Sequence, residues 1–489
     1  MKETIKSLEK IARQLEVDSV KRNNWNAAVQ DYANNFLDNI TQLPAFVESD
    51  DKGEALQSIE IKEESAEMAE LLEIIAHNVD RPGLNPASGG HLAYIPGGGL
   101  FPTALGDYLA DVSNRYAGIY FGGPGAVHME NKLLRWMCSL IGYPKTALGN
   151  LTSGGSIANL IAVATARDAK QIKARYIEHS VIYITEQVHH SIQKAIRIAG
   201  LDEAPLRYVP VDDRFRMDID ALEELIASDR KEGLKPFMLI ASAGTTDTGA
   251  IDPLDKLADI AERENMWFHI DAAYGGFFIL CDELKDQYKG VERSDSLTID
   301  PHKGLFLSYG TGAVLIKDIE AQRNTHYYLA NYMQDTLNSV EELSPADLSP
   351  ELTKHFRGLR MWMPLQLFGL KAFKAALYEK VMLCRYFYQE IAKLGFEVGP
   401  EPELSVCIYR YVPDSGDVNQ FNADLVAEIR KDGRVFLSST SIKGVTWIRL
   451  AVLCFRSHLD TIETCLKVLR EKVVYLKEQE HYKKSTSTA

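Results

Sequence analysis

The chain has 489 residues, 46% hydrophobic and 25% charged, enough to bury a large core without disulfides or a structural metal. Its 54 basic and 68 acidic side chains leave a net charge of −14, the wrong sign for a nucleic-acid footprint, so no nucleic-acid partner is expected. The 6 cysteines form no C-x-x-C pair, which disfavours zinc ribbons and thioredoxin motifs and points to a soluble, cytoplasmic enzyme.

The opening run MKETIKSLEKIARQL mixes Lys, Glu and Arg and holds no apolar core of signal-peptide length. Ile5, Leu8, Ile11, Ala12 and Leu15 recur at helical spacing, forming an apolar stripe that needs a partner surface in this chain or another subunit. No apolar run reaches the roughly 18 residues that a membrane span requires. Residues 80–102 switch to turn chemistry, RPGLNPASGG and then IPGGGLFP.

From about 150 to 316, short apolar runs alternate with amphipathic segments. The expected strands are 181–185, 206–211, 237–241, 267–271, 296–299 and 312–316, with helices between them that include 156–170, 190–199 and 218–231. This alternation predicts an α/β fold with a mainly parallel central sheet and helices on both faces. Residues 318–355 read as a long irregular stretch, of the kind that is a functional lid or disordered. Helices resume near Phe356. A small C-terminal α+β unit follows, with strands near 405–411, 435–439 and 446–453 and helices near 419–431 and 460–477. The expected domains are therefore 1–84 (N-terminal helices), 85–365 (large α/β domain) and 366–489 (small α+β domain).

The chemistry-bearing residues fall where the central strands end, which is where open α/β sheets place ligands. The run WFHIDAAYGG delivers Asp271 and Ala273 at the end of an apolar strand, and DPHKG, with Asp300, His302 and Lys303, follows the next one. Upstream, TSGGS with Gly155 and Ser156 precedes a helix, and EQVHHS with His189 and His190 follows a strand. A lysine, an aspartate, a histidine and a helix start made of small residues are the parts that hold pyridoxal 5′-phosphate. The amine forms an imine with the cofactor, the carboxylate keeps its ring nitrogen protonated, and unpaired backbone N–H groups receive its phosphate. His269 and Asp271 share a strand face and would suit a metal, but no third ligand stands at zinc-type spacing, so no metal is expected. Gly97–Pro102 has Pro where a dinucleotide fingerprint needs its third glycine, and TSGGS lacks the lysine of a nucleotide-triphosphate loop.

The runs HIDAAYGG, DPHKG, TSGGSIANL, EQVHHSIQKA and FRGLRMW resemble those of the group II pyridoxal-phosphate-dependent amino-acid decarboxylases, in order over roughly residues 85–460. The aromatic-L-amino-acid members are the best match. The resemblance implies the aspartate-aminotransferase-like fold (fold type I) and a homodimer whose N-terminal helices wrap around the partner. It also implies α-decarboxylation of an L-amino acid, best an aromatic one, to the amine and carbon dioxide. Lys303 becomes the imine-forming lysine, Asp271 the ring-nitrogen partner and His189 the ring stacked on the cofactor, with His190 the alternative. Gly155, Ser156, Thr246, Ala273, Asp300 and His302 complete the implied cofactor site. Tyr94, Ile95 and Pro96 form the implied substrate-pocket segment, with Ile95 replacing an aromatic. Tyr328 becomes the catalytic tyrosine of a mobile lid, with Tyr332 the alternative.

Two departures stand out. Gly304 occupies a position where many members carry a large aromatic, and Asp300 one where animal aromatic decarboxylases have Asn near the phosphate. An ionised acid there repels phosphate, so Asp300 must be hydrogen-bonded, turned away or protonated. Two other readings remain at this stage. One is another reaction on the same fold (transamination, a lyase step or aldehyde-forming oxidative deamination), with Arg449 as a carboxylate clamp. The other is a non-catalytic protein that keeps the fold, against which the retention of Lys303, Asp271 and His189 argues.

Overall fold

The computed structural model describes residues 1–327 and 342–479. Tyr328 and Tyr332 lie outside the described residues. A short antiparallel ribbon, β1 (Phe46–Val47) with β2 (Gly83–Leu84), precedes a 7-stranded sheet. Its strands are β3 (Leu148–Thr152), β4 (Ser180–Ile184), β5 (Leu206–Tyr208), β6 (Lys235–Ser242), β7 (Trp267–Asp271), β8 (Ser296–Ile299) and β9 (Gly312–Ile316). The spatial order is β3-β9-β8-β7-β6-β4-β5; β9 is antiparallel to both neighbours and the other pairs are parallel.

Every residue of β4, β7, β8 and β9 is buried, as continuous apolar runs between two helical layers must be. Alternate side chains serve opposite cores. Ile182, Ile240 and Val314 pack with Ala158, Ile161 and Ala162 of helix Gly155–Ala169. Leu239, Phe268 and Ile270 pack with Leu257, Ala258 and Ala261 of helix Leu254–Glu264. The expected fold class is the observed one.

Local differences have physical causes. β3 (LGNLT) was not expected, because Gly149 and Asn150 interrupt its apolar character. It is nevertheless fully buried, with the Asn150 amide donating to the Pro345 carbonyl at 2.8 Å. The strand expected to run to 211 ends at Tyr208, two residues before Pro210, which has no N–H to give a ladder. Within 318–355, Asp318 caps a helix, Ile319–His326, so the start of that stretch is regular.

A second, 4-stranded sheet holds β10 (Phe396–Val398), β11 (Val406–Tyr411), β12 (Ser438–Ile442) and β13 (Val445–Ala451), all antiparallel in the order β10-β11-β13-β12. The strand expected at 435–439 lies three positions later. Val435, Phe436 and Leu437 fill the core, but the ladder follows the hairpin turn at Lys443–Gly444, both with positive φ. Helix Gly358–Lys393 spans the expected boundary at 365/366 and breaks at Gly369, where φ is 64°.

Near its start the helix is anchored by a fully buried ion pair, with Lys354 Nζ 3.0 Å from the Glu130 carboxylate. Lys354 also donates to the Leu151 carbonyl at 3.0 Å, and Glu130 Oε1 accepts from the backbone of Arg357 and Gly358. The N-terminal helices Lys2–Ala12 and Ser19–Asp38 bury none of their residues, and the stripe Ile5, Leu8, Ile11 and Leu15 is exposed.

Candidate active site

Strand register assembles the site. Ser242 pairs with Asp271 and Asp271 with Thr298, so three side chains sit abreast at the carboxyl ends of β6, β7 and β8. Because β9 runs backwards, its first residue, Gly312, lies beside Thr152 at the end of β3. The segments after β3, β4, β6, β7 and β8 thus open onto one cavity of about 420 Å³.

Lys303, Asp271, His189 and Ala273 line it, as do Gly155 and Ser156 at the start of helix Gly155–Ala169. Thr246, Asp300 and His302 complete the set expected around a cofactor. His190 is exposed and outside the lining, with its ring 4.0 Å from that of His189. Tyr94, Ile95 and Pro96 are also outside it. Tyr94 is exposed and packs 5.6 Å from the Phe436 ring and 6.2 Å from the His91 ring. Tyr94 and Ile95 have φ of 50° and 57°, a strained backbone for a β-branched residue.

Both oxygens of buried Asp271 are engaged: the Ala273 N–H donates to Oδ1 at 3.1 Å and the Asn159 amide to Oδ2 at 3.0 Å. Asn159 also donates to Ser191 Oγ at 3.0 Å, and Ser191 Oγ lies 2.8 Å from His189 Nδ1. Sequence reasoning singled out neither Asn159 nor Ser191. The available signal was a lone Asn in the apolar run IANLI, since a buried amide has to find partners. His269, weighed as a metal ligand, instead reaches Asn159 at 3.1 Å and Ser296 at 2.8 Å. Burial is the main cause that holds the His189 imidazole below its ordinary pKa. His190 and Lys303 act in the same direction and Asp271 opposes, so the ring is neutral at neutral pH.

Lys303 sits in the short helix Pro301–Gly304 with Nζ 3.3 Å from Asp300 Oδ2. His302 donates Nδ1–H to the Thr311 carbonyl at 2.7 Å, which leaves Nε2 3.7 Å from the same Asp300 oxygen. Burial lowers the His302 pKa, with Asp300 opposing. Asp300 is thus paired through Oδ2, while Oδ1 has no hydrogen-bond partner among the described residues. The carboxylate is packed tightly: a Cβ at Gly312 would fall 2.6 Å from Oδ1 and one at Gly155 3.1 Å from Oδ2.

The other motif residues acquire roles through the same loops. Arg360 of FRGLRMW clamps Asp107 and donates to the Tyr309 carbonyl and Thr311 Oγ1, steadying the turn that orients His302. Gly97 lets the chain pass directly against the His302 carbonyl, which explains the glycine run without a dinucleotide. A Cβ at Gly304 would stand 2.7 Å from Cβ of Phe277, whose buried ring takes up the space there. Arg449 donates to Ser438 Oγ at 2.9 Å and to the carbonyls of Thr246 and Asp247, so it props that turn and does not line the cavity.

The arrangement fits pyridoxal 5′-phosphate. It offers an amine reaching the cavity, a buried carboxylate fixed by two donors, and a helix whose first amides lack intrahelical partners.

Residues 54–412 match the model of the pyridoxal-dependent decarboxylase conserved domain. The chain is 34% identical to an aromatic-L-amino-acid decarboxylase of Bacillus atrophaeus, covering 84% of this chain and 85% of that one. It is 30% identical to an L-2,4-diaminobutyrate decarboxylase of Acinetobacter baumannii, over 78% and 79%. A crystal structure of Oryza sativa TDC with PLP and tryptamine superposes with a TM-score of 0.89 at 22% identity, over 94% of this chain and 99% of that one. The chain belongs to the pyridoxal-dependent decarboxylase family; its cofactor is pyridoxal phosphate and its reaction is the decarboxylation of an amino acid.

Proposed function

We propose that the enzyme decarboxylates an L-aromatic amino acid to its amine. The observation that carries the site assignment is the convergence of Lys303, Asp271 and His189 on one cavity. The aromatic preference draws support from similarity to the Bacillus atrophaeus enzyme.

Lys303 anchors the cofactor. When bound, the cofactor draws off the electron pair left by the breaking Cα–carboxylate bond. Asp271 would hold the proton on the cofactor's ring nitrogen, and His189 would offer it a neutral imidazole. The first-turn amides of Gly155 and Ser156, with the Ser156 hydroxyl, hold the phosphate. Thr246, Ala273, Asp300 and His302 complete the walls. Tyr328, with Tyr332 the alternative, would return a proton to Cα.

A second copy of the chain covers the exposed stripe of helix Lys2–Ala12 and the exposed Phe101, Leu105, Tyr108, Leu109 and Val112 of helix Phe101–Ser113. The 6 buried, unpaired cysteines suit a reducing compartment, so we place the homodimer in the cytoplasm.

Similarity to the diaminobutyrate enzyme favours one competing substrate class, small amino acids with a side-chain amine. A chromatographic screen of the common L-amino acids plus L-2,4-diaminobutyrate for amine product separates the two. Amines from L-phenylalanine, L-tyrosine or L-tryptophan support the proposal; turnover of non-aromatic substrates alone overturns it.

A further inference from the structure

We infer that Asn159 is a positioning residue whose buried side-chain amide fixes the orientation of Asp271 and the tautomer of His189 at once. This rests on the roles proposed above for those two residues. The directions of the hydrogen bonds follow from both ends of the network. Trp267 Nε1–H can only donate, and it gives its proton to Ser296 Oγ at 2.8 Å. The Ser296 hydroxyl hydrogen is then left for His269 Nδ1 at 2.8 Å. His269 therefore carries its proton on Nε2 and donates to Asn159 Oδ1 at 3.1 Å. Thr298 Oγ1 donates to the same oxygen at 2.7 Å.

From the other end, an Asp271 carboxylate only accepts, so the Asn159 atom facing it at 3.0 Å is the amide nitrogen. The two ends require the same amide orientation, which atomic positions alone do not set. The second amide N–H goes to Ser191 Oγ at 3.0 Å, leaving the Ser191 hydroxyl hydrogen for His189 Nδ1 at 2.8 Å. The Ser191 backbone N–H points at the same nitrogen, at 3.3 Å. His189 is thereby held with Nδ1 as acceptor and the proton on Nε2.

All four hydrogen-bonding positions of the Asn159 amide are used. Asn159, Ser191, His269, Ser296 and Thr298 are each no more than 2% exposed, and Asn159 and Ser191 line the cavity. Burial pushes the His269 pKa down to about 4, which keeps that ring neutral in its link. The helix that carries Asn159 begins with Gly155 and Ser156. A single helix thus presents the phosphate cradle at its start and, one turn later, pins both groups that address the cofactor ring.

The test compares Ser191→Ala, which deletes one hydroxyl, with Asn159→Ala, His189→Ala and the corresponding double variants, using the full chain with and without pyridoxal 5′-phosphate. The readouts are ring-¹⁵N chemical shifts of labelled histidine, the dissociation constant for the cofactor, and kcat separately from KM. Ser191→Ala should move the His189 ring signals from the Nε2–H pattern toward a mixture of tautomers. It should lower kcat/KM by roughly fivefold to tenfold, as expected for one neutral hydrogen bond. In the His189→Ala background it should add nothing. Asn159→Ala should still weaken cofactor binding in that background, through the Asp271 arm. Wild-type His189 signals in Ser191→Ala, or full additivity with His189→Ala, overturns the inference. If His189→Ala alone has wild-type kinetics, the proposed role of His189 fails, while the ring signals of Ser191→Ala still decide the role of Asn159.

Discussion

Replacing Asp271 with Asn keeps the side-chain shape and removes the charge. Asp271 accepts from Ala273 N–H on one oxygen and from the Asn159 amide on the other. A carboxamide has one acceptor atom, so whichever way it turns, its NH₂ group faces one of those donors. One buried N–H loses its partner, at a cost of about 1–3 kcal/mol. The cofactor-free protein should lose that much stability, read as a lower urea midpoint. The loaded enzyme should lose more. An opposite charge in contact shifts a titrating group by roughly one to three pK units. Removing it withdraws about 1.4–4 kcal/mol from the protonated ring nitrogen, so turnover should fall about tenfold to a thousandfold. The assay is carbon dioxide release at saturating cofactor, with occupancy checked by absorbance. Wild-type turnover at full occupancy, with an unchanged unfolding midpoint, would refute the placement of Asp271 at the ring nitrogen.

His189→Ala should weaken cofactor binding by roughly threefold to tenfold, from about 0.5–1.5 kcal/mol of ring stacking, and should lower turnover. A silent His189→Ala with a crippled His190→Ala would move that role one residue along. Among the described residues, buried His91 has no hydrogen-bond partner on either ring nitrogen, and burial lowers its pKa from 6.5 to about 4. Between those values the unfolded chain binds a proton that the folded chain refuses, so stability falls with pH through this window and is unaffected above it. His91→Leu should remove roughly 3 kcal/mol of that loss at the acid end, and an unchanged stability–pH profile would contradict the burial argument. Lys354→Met leaves the fully buried Glu130 carboxylate uncompensated and should cost about 3–5 kcal/mol in urea unfolding, much of it recovered by adding Glu130→Gln. A single-variant cost below about 1 kcal/mol would show that the pair is not a structural anchor.

The strands Trp267–Asp271, Ser296–Ile299 and Gly312–Ile316 were legible to the residue because buried strands are contiguous apolar runs closed by turn residues. β3 escaped because its burial depends on distant partners: Asn150 on Pro345, and the Leu151 carbonyl on Lys354. The 435–439 segment misled for the converse reason: Val435, Phe436 and Leu437 fill the core, and Phe436 bridges to His91 and does not enter the four-stranded sheet. In the site, Lys303, Asp271, His189, Gly155 and Ser156 sit in short motifs next to strand ends, so local pattern pointed to residues that line one cavity, whereas Thr246 came only with the resemblance. Asn159 was missed because its partner Asp271 lies 112 positions away, a pairing that only the assembled sheet reveals. The pocket segment Tyr94–Pro96 was located by resemblance, but it stands outside the cavity lining.

Lys303 as the anchor of the cofactor is the point on which the proposed chemistry turns, and borohydride reduction of the holoenzyme tests it directly. Reduction makes the lysine–cofactor link permanent, and digestion with mass spectrometry then locates it. The prediction is one phosphopyridoxyl group per chain on the peptide that contains Lys303, absent from Lys303→Ala protein treated in the same way. A stoichiometric adduct on another lysine of the wild-type chain, or an adduct persisting at the native site in Lys303→Ala, would contradict it.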